Sequence, residues 1–341
     1  MNQKDYIMQL PKINLCYYPT SVFLLDDNRK FLNIIDLHLS KQMPIIFHSS
    51  SSEASDFFDK KYEPSYFFEQ CISSNEETYI DRFTQSINIR NIHKVIYNPL
   101  RFSEVSILVI DYAMPEINGL EFSRHLRQKN PLIKIIMLTG EADRVLAIEA
   151  FNEGSIDKFI MKSTPNLDEV LLQAIKEQQI KYFFALSEKC FSNIKQSKGI
   201  LNLLNDPAFI ELFSKIYSEY HIAEYYLMDE QGSFLLLTAD GHPSWLSIKN
   251  EQEINNYYEY GLLEQAPENV INALKTKQGI LYFHTENDLQ APPSAWNKYL
   301  HPAKSLVGKE TYYYAYIDNP KAYDIEPDKI TSYEQYLDQL D

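Results

Sequence analysis

The chain has 341 residues, 45% apolar and 23% charged, the make-up of a globular protein of about two domains and not of a disordered one. Its formal net charge of −15 argues against a protein whose main business is gripping nucleic acid or an anionic membrane. Three widely spaced cysteines argue against a disulfide framework or a cysteine-built zinc site, nine glycines leave no glycine-rich phosphate loop, and no apolar run is long enough to span a membrane.

Residues 1–19 read as an N-terminal extension without the apolar stretch of a signal peptide, so a reduced, cytoplasmic location is expected. Ser21 to Leu25 is a short apolar run, suited to a parallel strand covered on both faces, and it ends in Asp26-Asp27. Phe31, Ile34, Ile35 and Leu37 to Leu39 then recur at helical spacing. Pro44 to Phe47 is a second strand, and Val105 to Ile110 is a third that ends in Asp111. A helix over Leu120 to Arg127 leads to the strand Lys134 to Leu138, followed by Thr139. Arg144 to Phe151 is helical and stops at Gly154, a good C-terminal cap. Asp157 to Met161 is the fifth strand, followed by Lys162, and a long helix starts near Pro165.

This alternation predicts a doubly wound, five-stranded parallel sheet over residues 20–185. Ligands of such sheets sit at the carboxyl ends of the strands, which is where Asp26, Asp27, Asp111, Thr139 and Lys162 all fall. One aspartate after a strand is ordinarily a helix cap. Three carboxylates brought to one rim need a cation, and an oxygen-only set suits Mg²⁺. A lysine and a threonine hydroxyl beside them suit a phosphoryl group, so the set is built for phosphoryl transfer to a carboxylate.

Val22–Asp27, Asp111–Glu121, Leu138–Thr139 and Phe159–Lys162 resemble the receiver (flavodoxin-like) domain of bacterial two-component response regulators. The resemblance implies that Asp111 is the phosphoacceptor, that Asp26, Asp27 and Asp111 with the Ala113 carbonyl hold Mg²⁺, and that Lys162 and Thr139 bind the phosphoryl oxygens. It implies a switch made of Thr139 and Phe159, a sensor histidine kinase as partner, and a receiver that catalyses its own phosphoryl transfer and dephosphorylation, with no further enzyme expected. Two departures stand out. Ser163 follows Lys162 where the family usually has proline, and Asp27 and Asp111 are separated by about 40 residues more than two strand–helix steps need.

The extra residues form an insertion at about 48–95. Its apolar residues Tyr79, Ile80, Phe83, Ile87 and Ile89 predict that Glu76 to Ile92 is the second helix of the sheet domain, displaced along the chain. The remainder reads as a surface elaboration, with docking on the C-terminal domain or a partner as the sharper alternative. Residues 165–205 read as a helical connector whose apolar stripe, continuing through Phe183, Phe184 and Phe191, runs past what a receiver buries and implies a partner surface.

Residues 206–341 read as a smaller α+β domain with an antiparallel sheet. Asp206-Pro207 opens a helix over Ala208 to Glu219. Glu224 to Met228 and Ser233 to Thr238 form a hairpin about Gly232, followed by strands at Trp245 to Ile248, Ile280 to His284 and Thr311 to Ile317 and helices at Ile254 to Leu263 and Pro267 to Lys277. His221, His242, His284 and His301 lack metal-ligand spacing. From Ser187 onward there are 12 Lys and no Arg against 23 Asp and Glu, a net −11, so a DNA-binding output is the disfavoured alternative. The expected output is protein–protein interaction, through a phosphorylation-dependent homodimer over residues 144–184 and a downstream protein partner. An output enzyme or a small-ligand (for instance nucleotide) binding domain is the alternative. The chain further resembles the atypical response regulators of bacterial autoinducer quorum sensing, which lack a recognised DNA-binding output.

Overall fold

The structure is a computed structural model and describes residues 12–60, 67, 71–74, 85–87, 91–140, 143–192, 198–229, 231–283, 288–319 and 325–340. Numbered along the chain, its strands are β1 (Cys16–Tyr17), β2 (Ser21–Leu25), β3 (Ile45–His48), β4 (Ile72–Ser74), β5 (Gln85–Ile87), β6 (Val105–Asp111), β7 (Lys134–Thr139) and β8 (Lys158–Met161), then β9 (Ile222–Leu227), β10 (Phe234–Thr238), β11 (Pro243–Asn250), β12 (Gly279–Leu281), β13 (Leu300–Pro302), β14 (Lys304–Val307) and β15 (Thr311–Asp318). The chain divides into two units, one drawn from residues 18–73, 98–192 and 335–341, the other from 1–17, 74–97 and 193–334.

The first unit is a parallel sheet in the order β3-β2-β6-β7-β8. Its central strands are apolar on both faces because helices cover both. Phe23, Leu25, Leu108, Ile110, Ile135 and Met137 face a core completed by helices Ser51–Lys60, Gly119–Lys129 and Arg144–Asn152. Val22, Leu24, Ile107, Val109, Ile136 and Leu138 face the other core, completed by helices Arg29–Leu39 and Leu167–Ser192. Adjacent residues of one strand thus serve opposite cores, as the two-residue pleat requires. The doubly wound architecture matches the expectation.

The place of the second helix does not. Gln85–Ile87 is a strand, paired with β4, and not part of a helix over 76–92; residues 75–84 and 88–90 lie outside the described residues. Helix Ser51–Lys60 occupies that layer instead, directly after β3, with Ala54 and Phe58 in the core and Phe57 and Phe58 against Phe23. Serines are weak helix formers, which disguised its first turn as a loop.

The connector helix, Leu167–Ser192, buries Tyr182, Phe183, Leu186 and Cys190. Much of the partner surface implied by its long stripe is supplied by the first unit itself: Phe183 meets the Tyr18 ring at 4.8 Å, and Tyr182 and Gln179 hydrogen-bond to Glu104 and Thr20.

The second unit is an antiparallel sheet in the order β1-β9-β10-β11-β15-β14, with β12 and β13 paired separately and helices Pro207–Glu219, Glu251–Leu263 and Glu268–Lys275. Asp206 caps the first of these helices, its Oδ1 accepting from Ala208 N–H at 3.0 Å. Gly232, at φ 98°, turns β9 into β10. Three strands not anticipated from the sequence complete the sheets: β13, β14 and, from the N-terminal extension, β1. Residues 91–97 of the insertion belong to this unit, where Ile96 and Tyr97 carbonyls accept from Thr331.

Candidate functional site

Strand register brings the rim residues to one level. Leu25 pairs with Ile110, so Asp26 and Asp111 emerge side by side. Asp111 pairs with Leu138, and Thr139 with Met161, so Thr139 and Lys162 emerge next to them. The Lys162 N–H donates to the Thr139 carbonyl at 2.9 Å, tying the last two strand ends together. The strand order reverses between β2 and β6, the switch point at which such sheets open a crevice.

In that crevice Asp26, Asp27 and Asp111 place carboxylate oxygens within 4.8 Å of one another. Asp26 and Asp111 are buried and Asp27 is exposed. Lys162 Nζ lies 2.8 Å from Asp26 Oδ2 and 3.0 Å from Asp111 Oδ1, bridging the two buried carboxylates. Burial pulls the Lys162 ammonium downward, but the two carboxylates outweigh it and hold the group above its ordinary value. Asp26 is raised, chiefly by burial and further by Asp111, against the lowering pull of Lys162 and of the Asn28 N–H that donates to its Oδ1 at 2.9 Å.

Thr139 is fully buried and its hydroxyl donates to the Gly140 carbonyl at 3.2 Å. Phe159 is half-buried beside the core that contains Met137 and Ala147, with the Phe151 ring at 6.4 Å. Ala113 lies in the exposed loop after Asp111. That loop is closed by Gly119 N–H donating to Tyr112 O at 2.9 Å, an approach so close that a Cβ on Gly119 would sit 2.1 Å from the Asp111 carbonyl oxygen. A turn with Thr164 N–H donating to Met161 O at 2.9 Å follows Lys162, so Ser163 leaves the lysine seated on Asp26 and Asp111.

Two contributors were not read from the sequence. Asn28 caps helix Arg29–Leu39 through its side chain while its N–H holds Asp26. The Phe31 ring lies 5.0 Å from Lys162 Nζ, a cation–π contact. An asparagine just before an apolar-periodic run is a legible cap signal; nothing in the spacing of Phe31 announces its lysine.

Comparison with known proteins accords with this geometry. The response regulator receiver domain family matches residues 81–176, from inside the insertion to the connector helix. Response regulator TodT of Pseudomonas putida is 34% identical over 82 residues, which is 24% of this chain and 35% of TodT. The transcriptional regulatory protein FixJ of Rhizobium meliloti is 39% identical over 70 residues, 20% of this chain and 33% of FixJ. The chain thus spans about a third of the length of these curated relatives. The solved structure of the Legionella pneumophila response regulator LqsR is 34% identical and superposes with a TM-score of 0.78 over 96% of both chains. The chain belongs to the response-regulator family.

The first unit is its receiver, with the acidic pocket in which receivers generally bind Mg²⁺. A receiver implies a histidine kinase partner and two-component signalling. The family match ends at residue 176, whereas the LqsR superposition, over 96% of the chain, takes in the C-terminal part as well. Among the described residues no helix is long and apolar enough to cross a membrane.

Proposed function

We propose that this response regulator is phosphorylated on Asp111 by a histidine kinase in the cytoplasm, and that phosphorylation drives dimerisation and an output based on protein–protein interaction. The observation that carries the reading is the convergence of Asp26, Asp27 and Asp111 with Lys162 bridging two of them. The donors are all oxygens and Asp26 is held above its ordinary value by burial, a strain that a hard cation relieves, so the pocket suits Mg²⁺ held by the three aspartates and the Ala113 carbonyl. Bound there, the ion neutralises charge on the transferring phosphoryl group.

The chain's own groups do the rest. Asp111 presents a carboxylate oxygen as nucleophile, and Lys162, 3.0 Å away, holds positive charge where the phosphoryl oxygens arrive. The Thr139 hydroxyl turns from the Gly140 carbonyl to donate to a phosphoryl oxygen. Space vacated by that movement admits Phe159, whose neighbour Phe151 belongs to an exposed apolar face with Val145, Leu146 and Ile148. This face lies within residues 144–184, the stretch through which the dimer would form.

Light scattering with and without beryllofluoride and Mg²⁺ tests the proposal. The parent chain is expected to move from monomer to dimer and the Asp111→Asn chain to stay unmoved. A parent chain of unchanged mass removes the dimer switch.

A further inference from the structure

Helix Glu251–Leu263 of the second unit ends with its large apolar side chains in solvent: Tyr260 is 51% exposed, Leu262 50% and Leu263 76%. The inward position belongs to Gly261, where a Cβ would come 3.0 Å from Ile271, 3.1 Å from Trp296 and 3.3 Å from Ala266. The end is also fixed along its axis, because Gln265 takes a left-handed φ of 55° and Ala266 N–H donates to the Gly261 carbonyl at 2.8 Å. That hydrogen bond closes a Schellman-type terminus. Leu262 and Leu263 therefore project from a fixed helix end, with the Tyr260 ring leaning on Trp296 at 5.9 Å.

Acidic side chains border the helix end. Glu259, Glu264 and Glu268 are exposed around it, and residues 259–274 contain no Lys or Arg. The C-terminus of this helix adds the negative end of its dipole, while Glu268 sits on the positive N-terminal end of the next helix, Glu268–Lys275. We propose that this helix end is a docking surface for a cationic amphipathic protein segment, with Leu262 and Leu263 as apolar anchors and the three glutamates as the charged rim. Charge decides between occupants. A second copy docked about a two-fold axis sets the three glutamates against their equivalents, and an anionic membrane or a nucleic acid meets the same repulsion. The inference rests on the reading of the second unit as a protein-binding output, and it adds the chemistry of the partner.

Fluorescence anisotropy on the full chain, with a labelled eighteen-residue Leu/Lys amphipathic helix as probe, tests it. A Leu/Glu helix of the same pattern is the control. The parent chain binds the Leu/Lys probe and ignores the Leu/Glu one. Leu262→Ser with Leu263→Ser, and separately Glu259→Gln with Glu264→Gln and Glu268→Gln, each weaken the Leu/Lys probe by about tenfold or more at an unchanged thermal midpoint. Equal binding by parent and variants means that the chain's overall acidity holds the probe, and the surface is lost as a site. A parent dimer that the leucine variant makes monomeric assigns the helix end to self-association instead. Probe binding is read on the unphosphorylated chain and the switch on the mass shift with beryllofluoride, so failure of the phosphoryl switch and failure of this surface register separately.

Discussion

Gly119 shows how little latitude the loop after Asp111 has. With a Cβ placed 2.1 Å from the Asp111 carbonyl oxygen, Gly119→Ala forces the loop or the end of β6 to shift. A loss of about 1–3 kcal/mol in urea-unfolding stability is expected, and a variant as stable as its parent would show that the loop has slack. Asp26 gives a prediction of opposite sign. Its carboxyl is held above the ordinary 3.8, so the folded chain binds that proton more tightly than the unfolded one. Its contribution to stability is therefore greatest in acid and falls as pH rises from 3.8 through the raised value. Without divalent ions, Asp26→Asn should melt higher than the parent at neutral pH, and the gap should close in acid. Added Mg²⁺ should raise the parent's midpoint but not the variant's; scanning calorimetry across pH checks both. The rim residues were legible because each polar side chain closes an apolar strand. The Gly119 clash and the Phe31–Lys162 contact were not, since both depend on how a loop and a helix start are placed in space.

The connector helix poses the question at the scale of an element. Its sequence announced an apolar stripe too long for a receiver but not what covers the stripe. Glu104, just ahead of β6, accepts from Tyr18 and from Tyr182 at 2.6 Å each, and Gln179 Nε2 donates to the Thr20 carbonyl and hydroxyl at 3.1 Å. These partners stand at the N-terminal ends of β2 and β6, opposite the aspartate rim, and separations of 78 to 159 residues hide them from any local pattern. They fix the second half of the helix as firmly as Leu171, Ala174 and Ile175 fix the first. Glu104→Ala removes the shared acceptor of two buried tyrosine hydroxyls, with an expected loss of roughly 1–3 kcal/mol. Hydrogen exchange should locate the damage, with protection falling from about residue 179 to 192 while residues 167–178 keep theirs. Uniform loss along the helix would mean that the clamp is not what holds its second half.

At the scale of the whole molecule, the chain passes between its two units five times, at residues 17, 73, 97, 192 and 334. The sequence read as two domains joined by one helical connector, because strand and helix patterns report local structure and not which unit a segment joins. The insertion also separates β2 and its two aspartates from the stretch that matches the receiver family, residues 81–176. The second unit is then not the fragment that its C-terminal sequence outlines. β1 pairs with β9, Cys16 opposite Tyr226 and Tyr17 opposite Tyr225, and Leu227 N–H donates to the Leu15 carbonyl at 2.7 Å. Ile13, Leu15 and Cys16 are buried. Tyr97 accepts from Thr331 through its carbonyl and from Glu326 N–H through its hydroxyl. A fragment of residues 206–341 lacks all of these. Each lost apolar side chain removes about 2 kcal/mol, from a domain whose whole stability is about 5–15 kcal/mol, and the bared β9 is a free edge for aggregation. Expressed alone, the fragment is expected to be insoluble or to melt without a cooperative transition, whereas the full chain melts cooperatively. A soluble fragment with a sharp transition would show that β1 and residues 91–97 decorate a unit that is already complete. In that case the second unit could be detached and studied by itself; if the prediction holds, its study needs the intact chain.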